Sequence, residues 1–110
     1  MNGRVFLSRR AQFARTARIG KKISEGGWQL RYAPNRNRAA RLGVVVPKRI
    51  VRLAVRRNRL RRMAREHFRQ QWRDKLPAAD MILSLLAPPK NADEAKLECA
   101  RLFAKISETT

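Results

Sequence analysis

Few residues in this sequence have the chemistry of a catalyst. Metal-assisted hydrolysis needs several convergent carboxylates, yet the first 73 residues hold only Glu25 and Glu66. Glu66 and His67 are neighbours, so on a helix their side chains diverge by about 100° and form no acid–base pair. His67 falls among apolar residues at helical spacing and reads as a packing histidine. Cys99 stands in an apolar helical stripe and reads as core rather than nucleophile. No His/Cys grouping has zinc-ligand spacing, and Gly26-Gly27 reads as a turn rather than a phosphate-cradling loop. What the sequence offers in quantity is arginine.

The stretch AVRRNRLRRMAREHFRQ (residues 54–70) carries seven arginines and one acid, Glu66. At about 100° per residue, with Arg57 at zero, Arg61, Arg65, Arg69, Arg62, Arg73 and Arg59 fall on an arc from about 40° to about 200°. Met63, His67, Leu60, Gln71, Ala64 and Phe68 fill the opposite arc. Trp72 lies off the apolar side. A solvated helix face usually interleaves acids at i,i+4. Here Arg57, Arg61, Arg65, Arg69 and Arg73 follow one another at that spacing, each like-charged pair opposing the helix by roughly 0.2–0.5 kcal/mol. Such a stripe is expected to face a polyanion, which would make binding steeply salt-dependent. Asn58, inside RRNRLRR, is either an exposed residue of poor helix propensity or an amide poised to donate and accept in one contact.

The rest of the composition agrees. Lys and Arg number 27 against 8 Asp and Glu, a net charge of +19 on 110 residues. Residues 1–73 hold 22 basic and two acidic residues, residues 74–110 five and six, so the charge belongs to one part of the chain. Nucleic acid is the leading partner, with an anionic membrane surface second. A chain of this length forms one domain with a modest core, expected to span residues 1–110. No apolar run reaches the ~18 residues of a membrane span. MNGRVFLSRRAQF lacks the apolar stretch of a secretory signal, and a single cysteine suits a reducing compartment, so a cytoplasmic location is expected.

Residues 11–19 suggest a short helix. WQLRYA (28–33) alternates as a half-buried strand, and LGVVV (42–46) reads as a buried strand stopped by Pro47. A long helix is expected from about Arg52 to Arg73, and MILSLLA (81–87) reads as another strand. Asn91 is placed to cap a last helix whose first turn carries Asp93 and Glu94. Its stripe of Ala95, Cys99, Leu102, Phe103 and Ile106 faces a core. A strand, a long helix and a strand in succession imply a βαβ crossover and an α/β layered fold.

PKRIVRLAVRRNRLRRMAREHFR (47–69) resembles the signature of the bacterial ribonuclease P protein component. The RNR motif is Arg57-Asn58-Arg59, continued by Arg61-Arg62, Arg65-Glu66 and Phe68-Arg69. LGVVVPKR resembles the family's glycine-containing strand with its paired basic residues, here Lys48 and Arg49. AADMILSLLAPP resembles its late strand beginning at an Asp, here Asp80. Phe13 and Gly20 also match. Pro47 departs from the usual small residue, and Ala17 from a frequent aromatic. The resemblance implies a two-layer α/β (α+β) sandwich: a small mixed sheet of about four strands with three helices and a left-handed crossover through the basic helix. It implies a protein subunit that binds a catalytic RNA and the 5′ leader of precursor tRNA, assisting endonucleolytic removal of that leader. The residues it points to on the RNA subunit are Lys48, Arg49, Arg52, Arg57, Asn58, Arg59, Arg61, Arg62, Arg65 and Arg69. Phe13 and Arg31 would face the leader. No catalytic or metal-binding residue of the protein is implied, and magnesium is expected on the RNA. A ribosomal protein or general RNA chaperone would share the composition and is the alternative.

Overall fold

A computed structural model of the protein describes residue 16, residues 20–35 and residues 39–108. Strand β1 (Lys21–Glu25) turns through Gly26-Gly27 into β2 (Trp28–Pro34) as an antiparallel hairpin, Glu25 opposite Trp28. A two-residue loop that matches strand twist needs a positive φ, and Gly26 supplies it at 58°. At the hairpin's other end the Gly20 N–H donates to the Thr16 carbonyl (2.9 Å), so close that a side chain at Gly20 would collide with it. β1 was not foreseen. Ile23 is its one apolar residue, and its lysines lie on a sheet edge, where charge discourages pairing with another chain.

Strands β3 (Arg41–Val45) and β4 (Ala79–Leu85) pair in parallel, and β4 also pairs antiparallel with β2. The order is β1-β2-β4-β3. β4, last in the chain, is thus central, which accounts for its nearly continuous apolar run. The expected mixed sheet of four strands is present.

β4 begins at Ala79, two residues before the expected Met81, and includes Asp80. This carboxylate is buried and therefore needs partners. Arg41 Nε and Nη2 donate to its two oxygens at 2.8 and 2.9 Å, and Asn35 Nδ2 donates at 2.8 Å. Because Arg41 and Asp80 are register partners, the fork fixes the start of the parallel pair.

Helix α1 (Ala54–His67) follows β3, and α2 (Ala92–Glu108) follows β4. α1 starts two residues later than expected and ends earlier. Phe68–Trp72 form a π-helical turn, with the Arg73 N–H donating to the Phe68 carbonyl at 2.9 Å. That wider turn answers the oddity of Trp72. In α geometry it would stand about 140° from His67, but i,i+5 residues of a π turn share a face. The Trp72 Nε1–H donates to His67 Nε2 at 3.0 Å, and the two rings meet edge to face. Gln71, expected on the apolar side, is exposed.

α2 is capped as expected: Asn91 Oδ1 accepts the Glu94 N–H at 2.8 Å. Its stripe Ala95, Cys99, Leu102, Phe103 and Ile106 is buried. Phe103 packs against Phe68, His67 and Trp72 with ring centroids 5.6–6.2 Å apart. Leu30, Leu42, Met81, Leu83 and Leu85 meet these side chains from the sheet, so the core lies between one sheet face and the two helices. A third helix was expected over residues 11–19; apart from Thr16, which is helical and buried, that segment lies outside the described residues.

Candidate nucleic-acid interface

Leu60, Ala64 and Phe68 are buried against the sheet and fix the roll of α1. The arginines follow from that roll. Arg59, Arg62 and Arg69 are exposed, and Arg61 and Arg65 are half-buried at the stem. Arg61, Arg62, Arg65, Asn58 and Glu66 line a shallow open hollow of about 620 Å³. Lys48, Arg49 and Arg52, on the link from β3 to α1, are all exposed. In that link the Pro47 carbonyl accepts the Ile50 and Val51 N–H groups at 3.0 Å, while Pro47, lacking an N–H, cannot extend the ladder of β3.

Two members of the motif behave differently from a simple stripe. Arg57, at the edge of the apolar arc, folds back: its Nη1 donates to the carbonyls of Val51 (3.1 Å) and Arg52 (2.8 Å). It braces the entry of α1, whose N-cap Leu53 makes no side-chain bond and whose first turn has no acid. Asn58 Oδ1 accepts from Arg61 Nη1 at 2.8 Å and so aims that guanidinium. Cations at a helix N-terminus oppose the dipole, so the placement of Arg56, Arg57 and Arg59 weakens the isolated helix and strengthens its field towards an anion.

Glu66 is the acid on this face. Arg69 grips it through Nε (2.9 Å) and Nη2 (3.2 Å). That hydrogen bond, aided by the positive charge of Arg69 and Arg62, holds the carboxyl below its usual range. His67 is half-buried; burial, with Lys96 nearby, lowers its pKa, and its Nε2 is occupied by Trp72. Cys99 is a buried thiol pushed up to about 12 by burial, with Glu98 adding to it. Among the described residues no three His, Cys, Asp or Glu side chains converge as metal ligands.

Arg31 lies on the sheet face away from α1 and α2, in register with Lys22 and Ile82. Ile82 and Ala33 are buried there, apart from the main core. The other leader candidate, Phe13, and Ala17 lie outside the described residues. Sequence reasoning passed over Arg56 and Lys90, which are exposed on the flank of α1. Arg56 falls on the apolar arc of the wheel, but the first turn of α1 projects past the core, so the angle alone misplaced it.

The mixed sheet, the helix crossing between its parallel strands and the arginine face outside it define a class of small basic α/β domains. A model of the family described as Ribonuclease P matches residues 1–107. The ribonuclease P protein component of Azoarcus sp. (strain BH72) is 44% identical over 84 residues, 74% of this chain and 69% of that protein. The Coxiella burnetii (strain Dugway 5J108-111) component is 40% identical over 98 residues, 87% and 80% of the two chains. Among solved structures, the Staphylococcus aureus RNase P protein superposes with a TM-score of 0.83 at 23% identity, covering 93% of this chain and 96% of that one. The Thermotoga maritima RNase P protein gives 0.77 at 25% identity, covering 94% and 98%. The chain belongs to the ribonuclease P protein family.

Proposed function

We propose that this chain is the protein subunit of ribonuclease P, acting in the cytoplasm. It docks its arginine helix on the catalytic RNA and helps to hold the 5′ leader of precursor tRNA while the leader is cut away. The observation that carries this reading is the roll of α1. Burial of Leu60, Ala64 and Phe68 turns Arg59, Arg61, Arg62, Arg65 and Arg69 away from the core, and Lys48, Arg49 and Arg52 are exposed on the link that leads into the helix. The fork of each guanidinium suits phosphate oxygens. Arg57 contributes mainly by holding the helix entry, and Asn58 by aiming Arg61. Arg31 would meet the leader on the other sheet face, with Phe13 stacking on a base.

Hydrolysis falls to magnesium ions held by the RNA, and three acids that could otherwise serve are tied to cations of the fold. Glu66 is tied to Arg69, Glu25 to Lys105 and Arg101, and Asp80 to Arg41. Neutralising phosphates would let the RNA fold and take substrate at lower magnesium. The test is reconstitution: the purified chain is mixed with its cognate RNA subunit and 5′ processing is followed across a magnesium titration. The complex is expected to cleave at magnesium concentrations where the RNA alone is slow. Superimposed curves would remove the reading, and association with ribosomal RNA in place of one discrete structured RNA would favour a ribosomal protein.

A further inference from the structure

Round the helix from the arginine stripe lies a second concavity. A cleft of about 510 Å³ opens between residues 50–53, the first half of α1 and residues 88–92, which lead into α2. Its floor is apolar, built from Leu53, Leu60, Met63, Pro88 and Pro89. Leu60 is buried, but Leu53 is 56% exposed, so much of this floor is open to water. Its rim carries Arg52, Arg56, Arg59 and Lys90, and no Asp or Glu of the described residues lines it.

Both features are unfavourable in the free protein. Apolar surface is left wet, and four cations converge on one opening. One ligand shape answers both, a flat, weakly polar ring carrying an anion, and the cleft lies within the size range of small-ligand sites. Arg59 ties the cleft to the interface proposed above, since at about 200° on the wheel it ends the stripe and begins the rim. We infer that the cleft receives one unstacked nucleotide of the bound RNA. The base lies on Leu53, Met63 and the two prolines, and its phosphate sits between Arg56, Arg59 and Lys90. A strand running along the stripe reaches the cleft by turning a single nucleotide out of its stack. The inference rests on the RNA-binding reading and adds to it a base-sized site on a different side of α1.

Methionine supplies the probe. The chain has three methionines: Met63 borders the cleft, Met81 is fully buried in β4, and Met1 begins the sequence. With methyl-13C methionine in the full chain, adenosine 5′-monophosphate is expected to move the Met63 methyl resonance by ring current and leave Met81 in place. Ribose 5-phosphate and inorganic phosphate are expected to move Met63 little. Ala92→Trp, at the exposed first residue of α2, fills the cleft and leaves every cation in place. It is expected to abolish the shift and to weaken binding of the RNA subunit about ten-fold, with the salt slope unchanged. Leu53→Ser is expected to act in the same direction, and because serine is a better N-cap than leucine its effect cannot be laid to a damaged helix. A Met63 signal that ignores the nucleotide, or responds equally to ribose 5-phosphate, would overturn the inference, as would wild-type RNA affinity in both variants. Failure of the wider reading looks different, because the unmodified chain would then not bind the RNA subunit at all.

Discussion

The double variant Arg61→Ala, Arg62→Ala separates charge used for binding from charge used for folding. Both side chains border the open hollow on α1, where Arg61 is tied to the fold through an exposed hydrogen bond to Asn58. Alanine is at least as good a helix former as arginine. The change also removes like-charge neighbours of Arg57, Arg59 and Arg65 at i,i+3 and i,i+4, each worth roughly 0.2–0.5 kcal/mol. Losing the attraction of Arg62 for Glu66 offsets part of that gain. Stability should therefore stay within about 0.5 kcal/mol of the parent. Binding should behave otherwise. Two lost phosphate contacts lower the slope of log K against log salt by about 1.8, at roughly 0.9 per contact. Between 50 and 200 mM salt that slope difference amounts to about a ten-fold change in the affinity ratio, so the defect is large at low salt and shrinks as salt rises. The assay is filter binding or fluorescence anisotropy of the RNA subunit at several salt concentrations, with a urea melt of each protein beside it. A defect of the same size at every salt concentration would mean a loss of structure rather than of phosphate contacts. Unchanged affinity would mean that the stripe does not lie on the RNA.

Three further outcomes follow from the same geometry. Asp80→Asn leaves the mostly buried Arg41 guanidinium without its bidentate partner, and should lower the stability seen in urea melts by about 3 kcal/mol. The double variant Arg41→Met, Asp80→Leu should recover most of it, and a single variant as stable as the parent would show that the fork does not hold the β3/β4 register. His67 has a pKa lowered chiefly by burial, so below about pH 6.5 the unfolded chain binds the proton more readily than the folded one, and stability should fall as pH drops from 7.5 to 5.5. A second donor on Nε2 would also face the Trp72 N–H; His67→Phe should flatten this pH dependence, and a flat profile in the parent would contradict the assignment. Phe13→Ala should weaken precursor tRNA relative to mature tRNA by roughly 1–3 kcal/mol if a base stacks there, whereas equal loss for both would make Phe13 a structural residue.

What could be read in advance depended on whether a signal was local. α1 and α2 showed themselves through periodicity, β4 through a continuous apolar run, and Asn91 through a capping pattern that the structure reproduces at 2.8 Å. The RNR register was legible because its residues are consecutive. β1 was hidden because an edge strand has little apolar pattern to show, and only the Gly-Gly loop before β2 hinted at a hairpin. The π turn was invisible, since a wheel assumes 3.6 residues per turn throughout, and with it went the approach of Trp72 to His67. The inward fold of Arg57 was missed for a related reason: a wheel gives a direction for the Cβ, while a long side chain chooses its own carbonyls. The cleft could not be seen at all, because Pro88 to Ala92 meet Leu53 and Arg56 only after β4 has returned through the middle of the sheet.

Six of the eight acids have placements that explain how so basic a chain folds before it meets a polyanion. Glu25 draws Lys105 (2.9 Å) and Arg101 (3.6 Å) from α2 to the end of β1. Those contacts hold its carboxyl below the usual range, the Lys105 hydrogen bond contributing most. Glu98 of α2 accepts the Gly27 N–H at 3.3 Å, tying the helix to the same hairpin. Asp80 anchors β3 to β4, and Asp93 and Glu94 sit at the favourable end of the α2 dipole. Most of the negative charge thus assembles the sheet and α2. On α1 Glu66 alone is acidic, and it answers Arg69. Among the described residues self-repulsion is thereby concentrated on α1 and its approach, the segment with no acid in its first turn and no side-chain N-cap. A fold arranged for stability alone would place acids there. Leaving them out makes α1 the least self-sufficient element and the most responsive to a partner that brings phosphates, so RNA binding should stabilise this helix more than it stabilises α2. Hydrogen exchange with and without the RNA subunit measures that difference directly, and equal protection of the two helices would refute it.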